Sequence, residues 1–487
     1  MGGFKLRDYQ EGGVNACMDI LLSEKNIKAV VVAPTGGGKS IYISEAAERL
    51  NLPLLVLQPT KELLKQNFSK YIKTGHRASI CCASLKTKQK NTIDYTTING
   101  IDIRCRDVGK VTYATPQTAM AEIDKLKTLG IKHAIIDEAH LHSSEGSTTR
   151  KLLKKLNITH VVGLTATPIY LKGGGEGSRL VMMNRAKATI FPKIQHVTQI
   201  KELVENGWWT PFKYNIIKTD ESNLELNTSG SDYTEFSQKE YYKANELEGQ
   251  VVEEVYRLKR NDRKRILIFV PSIAEADSLY KKIPNSAVIH SKLDTKTRDF
   301  FVDAFSSGKI PVAINVNVLA TGYDNPEIDA IITTRPTASI ALFYQQIGRG
   351  CRIHPEKEDC IIVDFSGNTS RFGRVEGLTF EEIPYYGWGL FNEKGQLLSD
   401  YAIQTTIKPT KDSLVKACKE ELEELEREQS VSPKIFFGKH EGLTIKQAVV
   451  KDKKYCIWMY EDFKFKTPMM INIKRHLEKE LMLPRTV

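Results

Sequence analysis

Three glycines, a lysine and a serine stand together near the start of the chain, between a β-branched run and an apolar-periodic stretch. Residues 30–40 read VVVAPTGGGKS and continue as IYISEAA. This order predicts a strand, a loop and a helix, the context of a phosphate-binding loop, because glycines let backbone N–H groups approach phosphate oxygens. Lys39 would reach the β and γ phosphates, and the Ser40 hydroxyl would ligate Mg²⁺. We predict nucleotide binding by Pro34, Thr35, Gly36, Gly37, Gly38, Lys39 and Ser40; the alternative is a plain glycine-rich turn.

Two adjacent carboxylates, Asp137 and Glu138, follow a predicted buried strand about one hundred residues after the glycine loop. Asp137 is suited to hold Mg²⁺ through water, since that ion keeps part of its hydration shell. Glu138 is suited to orient or deprotonate a water that attacks the γ-phosphate of ATP. His140 lies close enough in sequence to couple hydrolysis to a neighbouring element. Thr165 and Thr167 end another predicted strand, and we expect their hydroxyls to bond to the Asp137 loop.

Two arginines form the third group of candidate catalytic residues. Arg349 and Arg352 are three residues apart in a segment that we predict to be helical, which would place them on one face. Two guanidinium groups on one face can neutralise the charge that spreads over a transferring phosphoryl group. The alternative is a pair of surface ion pairs.

Candidate contacts to a base and to nucleic acid precede and follow the glycine loop. A glutamine amide can donate to adenine N7 and accept from N6 at once, so Arg7 and Gln10 are candidates for base recognition; the alternative is the start of a surface helix. Hydroxyl and helix-opening residues follow two predicted strands, where ligands bind in open parallel sheets. These candidates for backbone phosphate contacts are Pro59, Thr60, Lys61, Thr115, Pro116 and Gln117. The lysines at 65, 70 and 73 are either further contacts or a solvated face.

Continuous apolar runs alternate with helical patterns and predict the elements that position these groups. Residues 54–57, 134–136, 161–164 and 266–270 are typical of strands buried on both faces of a parallel sheet. The alternation predicts two doubly wound α/β domains. We predict a first domain at 1–190, an interdomain linker at 191–211, a second domain at 212–370, an irregular segment with a linker helix at 371–430 and a small α+β module at 431–487.

Composition narrows the class of protein and of partner. A chain of 487 residues is too long to fold around a single hydrophobic core. Its net charge of +11 favours a polyanionic partner. No apolar run approaches the ~20 residues of a membrane span, and the N-terminus lacks the apolar core of a signal peptide. The eight cysteines contain no C-x-x-C pair, so we expect reduced thiols rather than disulfides or a zinc site. We therefore expect a cytoplasmic, monomeric protein.

The order of these motifs resembles superfamily 2 helicases of the DEAH-box type, over roughly residues 4 to 370, and within them RadD-type DNA-repair helicases. The resemblance to the RadD type rests on residues 315–324, 335–337 and 344–352. It implies two RecA-like domains, ATP and Mg²⁺ in the cleft between them, and a nucleic-acid strand across both. It further implies an arginine pair supplied by the second domain, and roles for four residues: Gln345 positions water, Gly322 allows close backbone approach, Asp324 reaches the ribose and Thr321 contacts nucleic acid. The zinc-binding segment of the RadD type is not expected, because only Cys418 lies between residues 361 and 455.

Residues beyond 433 resemble the short C-terminal module of exodeoxyribonuclease X-like proteins. This module lacks a carboxylate cluster, so we do not expect a nuclease; binding of DNA, binding of a partner protein and simple packing all remain open. Trp208 and Trp209 end a predicted helix at the interdomain hinge, where packing is favoured over base stacking. The sequence as a whole predicts an ATP-driven helicase or translocase on nucleic acid, with DNA favoured over RNA. The alternatives are a duplex translocase that does not separate strands and a nucleic-acid scaffold that uses ATP as a switch.

Overall fold

The computed structural model describes residues 5–142, 146–172, 178–185, 189–319, 323, 325–384, 386–401, 408–428, 433–462 and 467–481. These residues divide into two compact units. The first holds both large sheets and runs to Thr379, with a short return at Ser399. The second comprises Phe380–Leu398 and the described part of Thr405–Val487.

The first large sheet contains seven parallel strands in the order β12-β1-β9-β8-β2-β7-β3. Strands of this region are β1 (Lys28–Val32), β2 (Leu54–Leu57), β3 (Ser79–Cys81), β4 (Lys88–Lys90), β5 (Ile93–Ile98), β6 (Ile101–Arg104), β7 (Val111–Ala114), β8 (His133–Ile136), β9 (His160–Thr165), β10 (Ile169–Lys172), β11 (Arg179–Met182) and β12 (Lys193–Val197). Helices are α1 (Asp8–Leu21), α2 (Lys39–Leu50), α3 (Lys61–Lys73), α4 (Pro116–Ala121), α5 (Ile123–Thr128), α6 (Thr148–Lys155) and α7 (Ile200–Glu205). Strands β4–β6 form a small separate antiparallel sheet, and β10 and β11 form a hairpin.

The second large sheet contains six parallel strands in the order β13-β18-β17-β14-β16-β15. Its strands are β13 (Phe212–Ile216), β14 (Ile266–Phe269), β15 (Ser286–His290), β16 (Val312–Val316), β17 (Ala330–Thr333) and β18 (Cys360–Asp364). Its helices are α8 (Glu235–Ala244), α9 (Leu247–Arg260), α10 (Ile273–Lys282), α11 (Thr295–Ser306), α12 (Ile340–Ile347) and α13 (Asn368–Phe372). The predicted pair of RecA-like parallel-sheet domains is confirmed.

The apolar runs form the central strands because both faces of each sheet are covered. Every residue of β2 and β14 is buried. One core joins α1, α2 and α3 to one face of the first sheet, and a second core joins α8, α9 and α10 to the second sheet. All strands of a sheet are parallel, so the loops that follow β1, β8 and β9 emerge at the same edge.

One predicted boundary needs correction. Strand β12 pairs with β1 in the first sheet, although it lies within the segment that we predicted as the 191–211 linker. The strand escapes the sequence pattern because it covers an edge and is only partly buried. The connection between the sheets is therefore residues 198–211, which include α7.

The second unit contains a hairpin and a group of helices. Its elements are β19 (Thr379–Ile383), β20 (Gly387–Phe391), α14 (Lys411–Glu428), α15 (Ile445–Lys451), α16 (Lys453–Asp462) and α17 (Pro468–Leu481). The hairpin lies in the segment that we predicted to be irregular. We expected an α+β module beyond residue 433. The described residues there form helices, and their β-structure is a single bridge between Lys434 and Thr444. No helix in the described residues has the length and apolar character needed to span a membrane.

Candidate nucleotide-binding and hydrolysis site

The glycine loop connects β1 to α2 and has the backbone of a phosphate cradle. Gly36 and Gly38 have φ of +75° and +89°, a left-handed conformation that favours glycine. Gly38 is also the N-cap of α2 and supplies no side chain to the first helical N–H groups. A Cβ on Gly38 would lie 3.0 Å from Gln10 Nε2, so α1 closes the loop from behind. The loop thus leads directly into the N-terminus of α2, the end of a helix that favours an anionic ligand.

A cavity of about 370 Å³ opens in front of this loop. Its walls combine the loop and α2, helix α3, the two acidic residues after β8, and two arginines from the second domain. The lining residues are Pro34, Thr35, Gly36, Gly38, Lys39, Ser40, Ile41, Leu63, Gln66, Asn67, Lys70, Asp137, Glu138, Arg349 and Arg352. The volume lies within the range of small-molecule sites, about 300–1,000 Å³. Residues separated by more than three hundred positions therefore share one polar cavity of nucleotide size.

The two carboxylates occupy different environments within the cavity. Asp137 accepts a hydrogen bond at Oδ2 from Asn67 Nδ2 (3.2 Å) and one at Oδ1 from the Glu138 backbone N–H (2.9 Å). Burial and then the neighbouring Glu138 charge raise the pKa of Asp137 to about 6. Burial also opposes ionisation of Glu138. The positive charge of Lys39 and of other groups near Glu138 outweighs burial, however, and lowers the pKa of Glu138. Glu138 Oε1 lies 3.5 Å from Lys39 Nζ, which places a charged carboxylate at the end of the cradle.

Glu138 is also held in an uncommon backbone conformation. Its φ is +46°, which few residues other than glycine adopt. The surrounding fold maintains such a conformation at a cost of order 1–3 kcal/mol, and such residues cluster at functional sites. The turn directs the Glu138 carboxylate back toward Lys39 instead of along the strand.

His140 joins this acidic turn to the end of β9 through a hydrogen bond to Thr165. His140 Nδ1 lies 3.5 Å from the Glu138 carboxylate and 2.9 Å from Thr165 Oγ1. Thr165 Oγ1 in turn accepts the Thr167 backbone N–H (3.0 Å) and donates to the Thr167 carbonyl (3.2 Å). Burial lowers the pKa of His140 and so favours the neutral ring. The Thr165 hydroxyl thus contacts His140 of the acidic turn, whereas Thr167 takes part through its backbone and its hydroxyl does not bond to the turn; the role of these residues in coupling stays a prediction.

The arginines reach the cavity from a turn and not from a helix, which corrects our prediction. Helix α12 ends at Ile347, and Arg349 and Arg352 follow it. Arg349 donates through Nε to the Gln345 carbonyl (3.2 Å) and through Nη1 to the Tyr323 carbonyl. The Arg352 carbonyl accepts from Thr210 Oγ1 (2.6 Å). Gln345 is buried in α12 and does not line the cavity.

The same turn packs against the outside of the glycine loop. Cys351 Sγ donates to the Thr35 carbonyl (3.4 Å) and to the Gly348 carbonyl (3.0 Å). A Cβ on Gly348 would lie 2.8 Å from Thr35 Cβ, and one on Gly36 would lie 2.7 Å from Cys351 Sγ. Trp209 is buried, and its Nε1 would lie 3.5 Å from the same Cβ on Gly36. The sequence analysis missed this contact between the domains; the only hint was two glycines and a small thiol among the arginines.

Comparison with known proteins identifies the family. The model of the Type III restriction enzyme, res subunit, matches residues 3–170, and that of the Helicase conserved C-terminal domain matches residues 248–354. The putative ATP-dependent helicase IRC3 of Saccharomyces cerevisiae is 27% identical over 374 residues, which cover 75% of this chain and 52% of that protein. The chain belongs to helicase superfamily 2.

Other superfamily 2 relatives agree with this assignment. A putative mitochondrial ATP-dependent helicase irc3 of Schizosaccharomyces pombe is 26% identical over 381 residues, 75% of this chain and 58% of that protein. The chain thus spans about half the length of the curated relatives that it matches. Its fold matches a fragment of a putative HsdR subunit of a type I restriction enzyme from Vibrio vulnificus, with a TM-score of 0.56 at 17% identity, covering 76% of this chain and 65% of that one.

The predicted base-recognition residues lie behind the glycine loop of this superfamily 2 chain. Gln10 Oε1 accepts the Arg7 backbone N–H (3.0 Å), and its Nε2 donates to Tyr9 Oη (3.3 Å). The Arg7 guanidinium lies over the Trp208 ring at 5.5 Å, and the Tyr9 ring packs on the same tryptophan at 4.7 Å. Both residues are thus fixed beside the loop, although neither lines the cavity. Gly322, Asp324 and Thr321 lie outside the described residues.

The residues predicted to touch nucleic acid follow the neighbouring strands β2 and β7. Thr60 caps α3 by accepting the Leu63 N–H (3.2 Å), and Thr115 hydrogen-bonds to Thr118 Oγ1 (3.2 Å). Thr60 and Gln117 are exposed, Pro59 and Lys61 are partly exposed, and Thr115 and Pro116 are buried. The structure therefore brings the two groups to the same sheet edge. Thr60 caps its helix and Thr115, the N-cap of α4, makes no side-chain capping bond; their role toward nucleic acid stays a prediction.

Proposed function

We propose that this chain is an ATP-dependent helicase or translocase that acts on DNA, in replication, recombination or repair. The observation that carries the proposal is the single cavity in which the glycine loop, the acidic turn after β8 and the second-domain arginines meet. Each group matches one requirement of phosphoryl transfer: a phosphate cradle, a residue that orients water, and cations for the developing charge. DNA is favoured over RNA because the first matched family model is that of a restriction enzyme subunit. The net charge of +11 suits a nucleic acid of either kind.

The side chains present fit Mg²⁺ with ATP. Ser40 and Asp137 line the same cavity, and a hydroxyl with a carboxylate is a donor set that Mg²⁺ accepts. A bound Mg²⁺ would neutralise charge on the β and γ phosphates. Lys70 Nζ lies 3.5 Å from Ser40 Oγ and adds a further cation at this wall.

The residues around the cavity then divide the work of hydrolysis. Lys39 and the loop N–H groups bind the phosphates. Glu138, held charged beside Lys39, orients the attacking water and accepts its proton. Arg349 and Arg352 stabilise the transition-state charge from the second domain, so hydrolysis depends on closure of the two domains. His140 and Thr165 transmit the state of the acidic turn to β9.

The test is the steady-state ATPase rate of the wild type and of Lys39→Ala, without nucleic acid and with single-stranded DNA, forked DNA or RNA. We expect stimulation by DNA that is lost in Lys39→Ala, since that lysine reaches the phosphates. Stimulation by RNA alone would overturn the assignment to DNA, and a rate that Lys39→Ala leaves unchanged would overturn the site itself.

A second assay separates the two kinds of DNA motor. A helicase displaces a labelled strand from a forked duplex, whereas a duplex translocase displaces only the third strand of a triplex. We expect strand displacement in the presence of ATP; triplex displacement alone would replace the helicase by a duplex translocase.

A further inference from the structure

The helices beyond residue 433 leave large aromatic side chains outside their own core. That core contains Ile435, Ile445, Ala448, Cys456, Met459, Ile473, Leu477 and Leu481. Trp458 and Phe436 do not belong to it, and they are 46% and 39% exposed. The flat faces of exposed tryptophan and phenylalanine are suited to stack on a ligand.

Two contacts place these aromatic residues relative to α16. The Lys439 backbone N–H donates to Tyr455 Oη at 3.3 Å, which holds the loop after Phe436 against α16. The Tyr455 and Trp458 rings lie 5.4 Å apart at 38°, one turn apart on that helix. We call Phe436, Tyr455 and Trp458 the aromatic patch.

The charge around the aromatic patch is positive. Residues 433–481 carry eleven lysines and arginines against six aspartates and glutamates. Exposed lysines flank the patch at positions 434, 451, 453 and 454. Helix α14 of the same unit has the opposite balance, with four basic and seven acidic residues, so the excess of positive charge belongs to the segment that carries the aromatic residues.

We propose that the aromatic patch binds a single strand of nucleic acid, with bases stacked on Trp458 and Phe436 and phosphates contacted by the surrounding lysines. Aromatic stacking combined with a cationic surface is the usual means of binding single strands without reading their sequence. A protein partner fits less well, because the centres of protein interfaces are depleted in lysine. The site is separate from the nucleotide cavity and gives the chain a second point of attachment to its strand.

The first test measures binding of a fluorescein-labelled oligothymidylate to the full chain by anisotropy, without nucleotide. Trp458→Ala should weaken binding about tenfold, because stacking on one aromatic side chain contributes that much or more. Trp458→Phe keeps an aromatic face and should retain most of the affinity. Val450→Ala, at an 84% exposed position of the same helical module, is the matched control and should bind like the wild type. Equal affinities of Trp458→Ala and Val450→Ala would overturn the proposal.

The second test locates the strand directly and does not depend on the folding of a variant. An oligonucleotide with 5-iodouracil is cross-linked to the wild-type chain by light, and the modified peptides are identified by mass spectrometry. We expect cross-links at Phe436, Tyr455 or Trp458; cross-links confined to residues before 380 would overturn the proposal and leave the patch to a protein partner. Replacing Lys453 and Lys454 by alanine should reduce the slope of log affinity against log salt by about 1.4, since each phosphate contact on a single strand contributes about 0.7. These outcomes are distinct from the ATPase test, whose failure would already appear in the wild type.

Discussion

Gly348 offers a test of whether contact between the two domains controls hydrolysis. Its φ of −59° suits any residue, so Gly348→Ala needs no unusual backbone conformation, and its contact within the second domain is with the Tyr344 carbonyl oxygen at 3.0 Å. The new Cβ would lie 2.8 Å from Thr35 Cβ, closer than atoms pack, and it meets Thr35 only when the domains are in contact. Overpacking of this kind costs about 2 kcal/mol, which is about 30-fold in the equilibrium for closure. We expect kcat/KM for ATP, measured at saturating DNA, to fall by about that factor while the melting temperature falls much less than in Gly350→Ala.

Gly350→Ala is the matched comparison. A Cβ on Gly350 would lie 2.4 Å from Cys360 Sγ, inside the second domain, so this substitution should lower the melting temperature. Thr35→Ser combined with Gly348→Ala removes one crowded methyl group, and the pair should show coupling in a double-mutant cycle. Wild-type kcat/KM in Gly348→Ala, or identical effects of the two glycine substitutions, would refute the reasoning.

Three further predictions concern the cavity and its support. Glu138→Gln should bind ATP normally and reduce kcat by about a hundredfold or more, because the amide cannot accept a proton; a wild-type rate in a coupled ATPase assay would contradict its assigned role. Arg352→Ala should reduce kcat by about a thousandfold with a much smaller change in ATP affinity, and equal losses in rate and in nucleotide binding would instead indicate a ground-state contact. Burial lowers the pKa of His142 to about 4 in the folded protein. In the unfolded chain the same imidazole takes up its proton at about pH 6.5. The free energy of unfolding should therefore fall as the pH drops from there toward 4. His142→Gln should flatten that part of a plot of melting temperature against pH, and an unchanged slope would show that other groups cause it.

The central parts of the fold and of the site were predictable because local sequence determines them. Buried parallel strands such as β2 require continuous apolar runs, and a ligand edge requires polar residues directly after those runs. Lys39, Asp137 and Glu138 follow such strands, and the structure brings them to one cavity. Their positions were therefore readable from order and residue type alone.

Features that depend on tertiary contact were not predictable. The contact of Gly348 with Thr35 is one case, since the two glycines after Ile347 signal the end of α12 but do not indicate what the turn packs against. Asn67 is another, because its bond to Asp137 depends on how α3 packs on the sheet. Strand β12 escaped for the reason that edge strands usually do: half of its surface is open, so its residues need not be apolar.

The short connection between the two sheets sets a limit on how far apart the catalytic halves can move. Only residues 198–211, fourteen in all, separate the end of β12 from the start of β13. Fully extended they would span about 50 Å, and α7 within them shortens that reach. A tether of this length keeps the arginines at an effective concentration of order millimolar relative to the glycine loop even when the cleft is open. An intact second domain supplied on a separate chain would have to reach comparable concentrations to restore the proposed hydrolysis to an Arg352→Ala variant, so each chain is in practice committed to its own arginines.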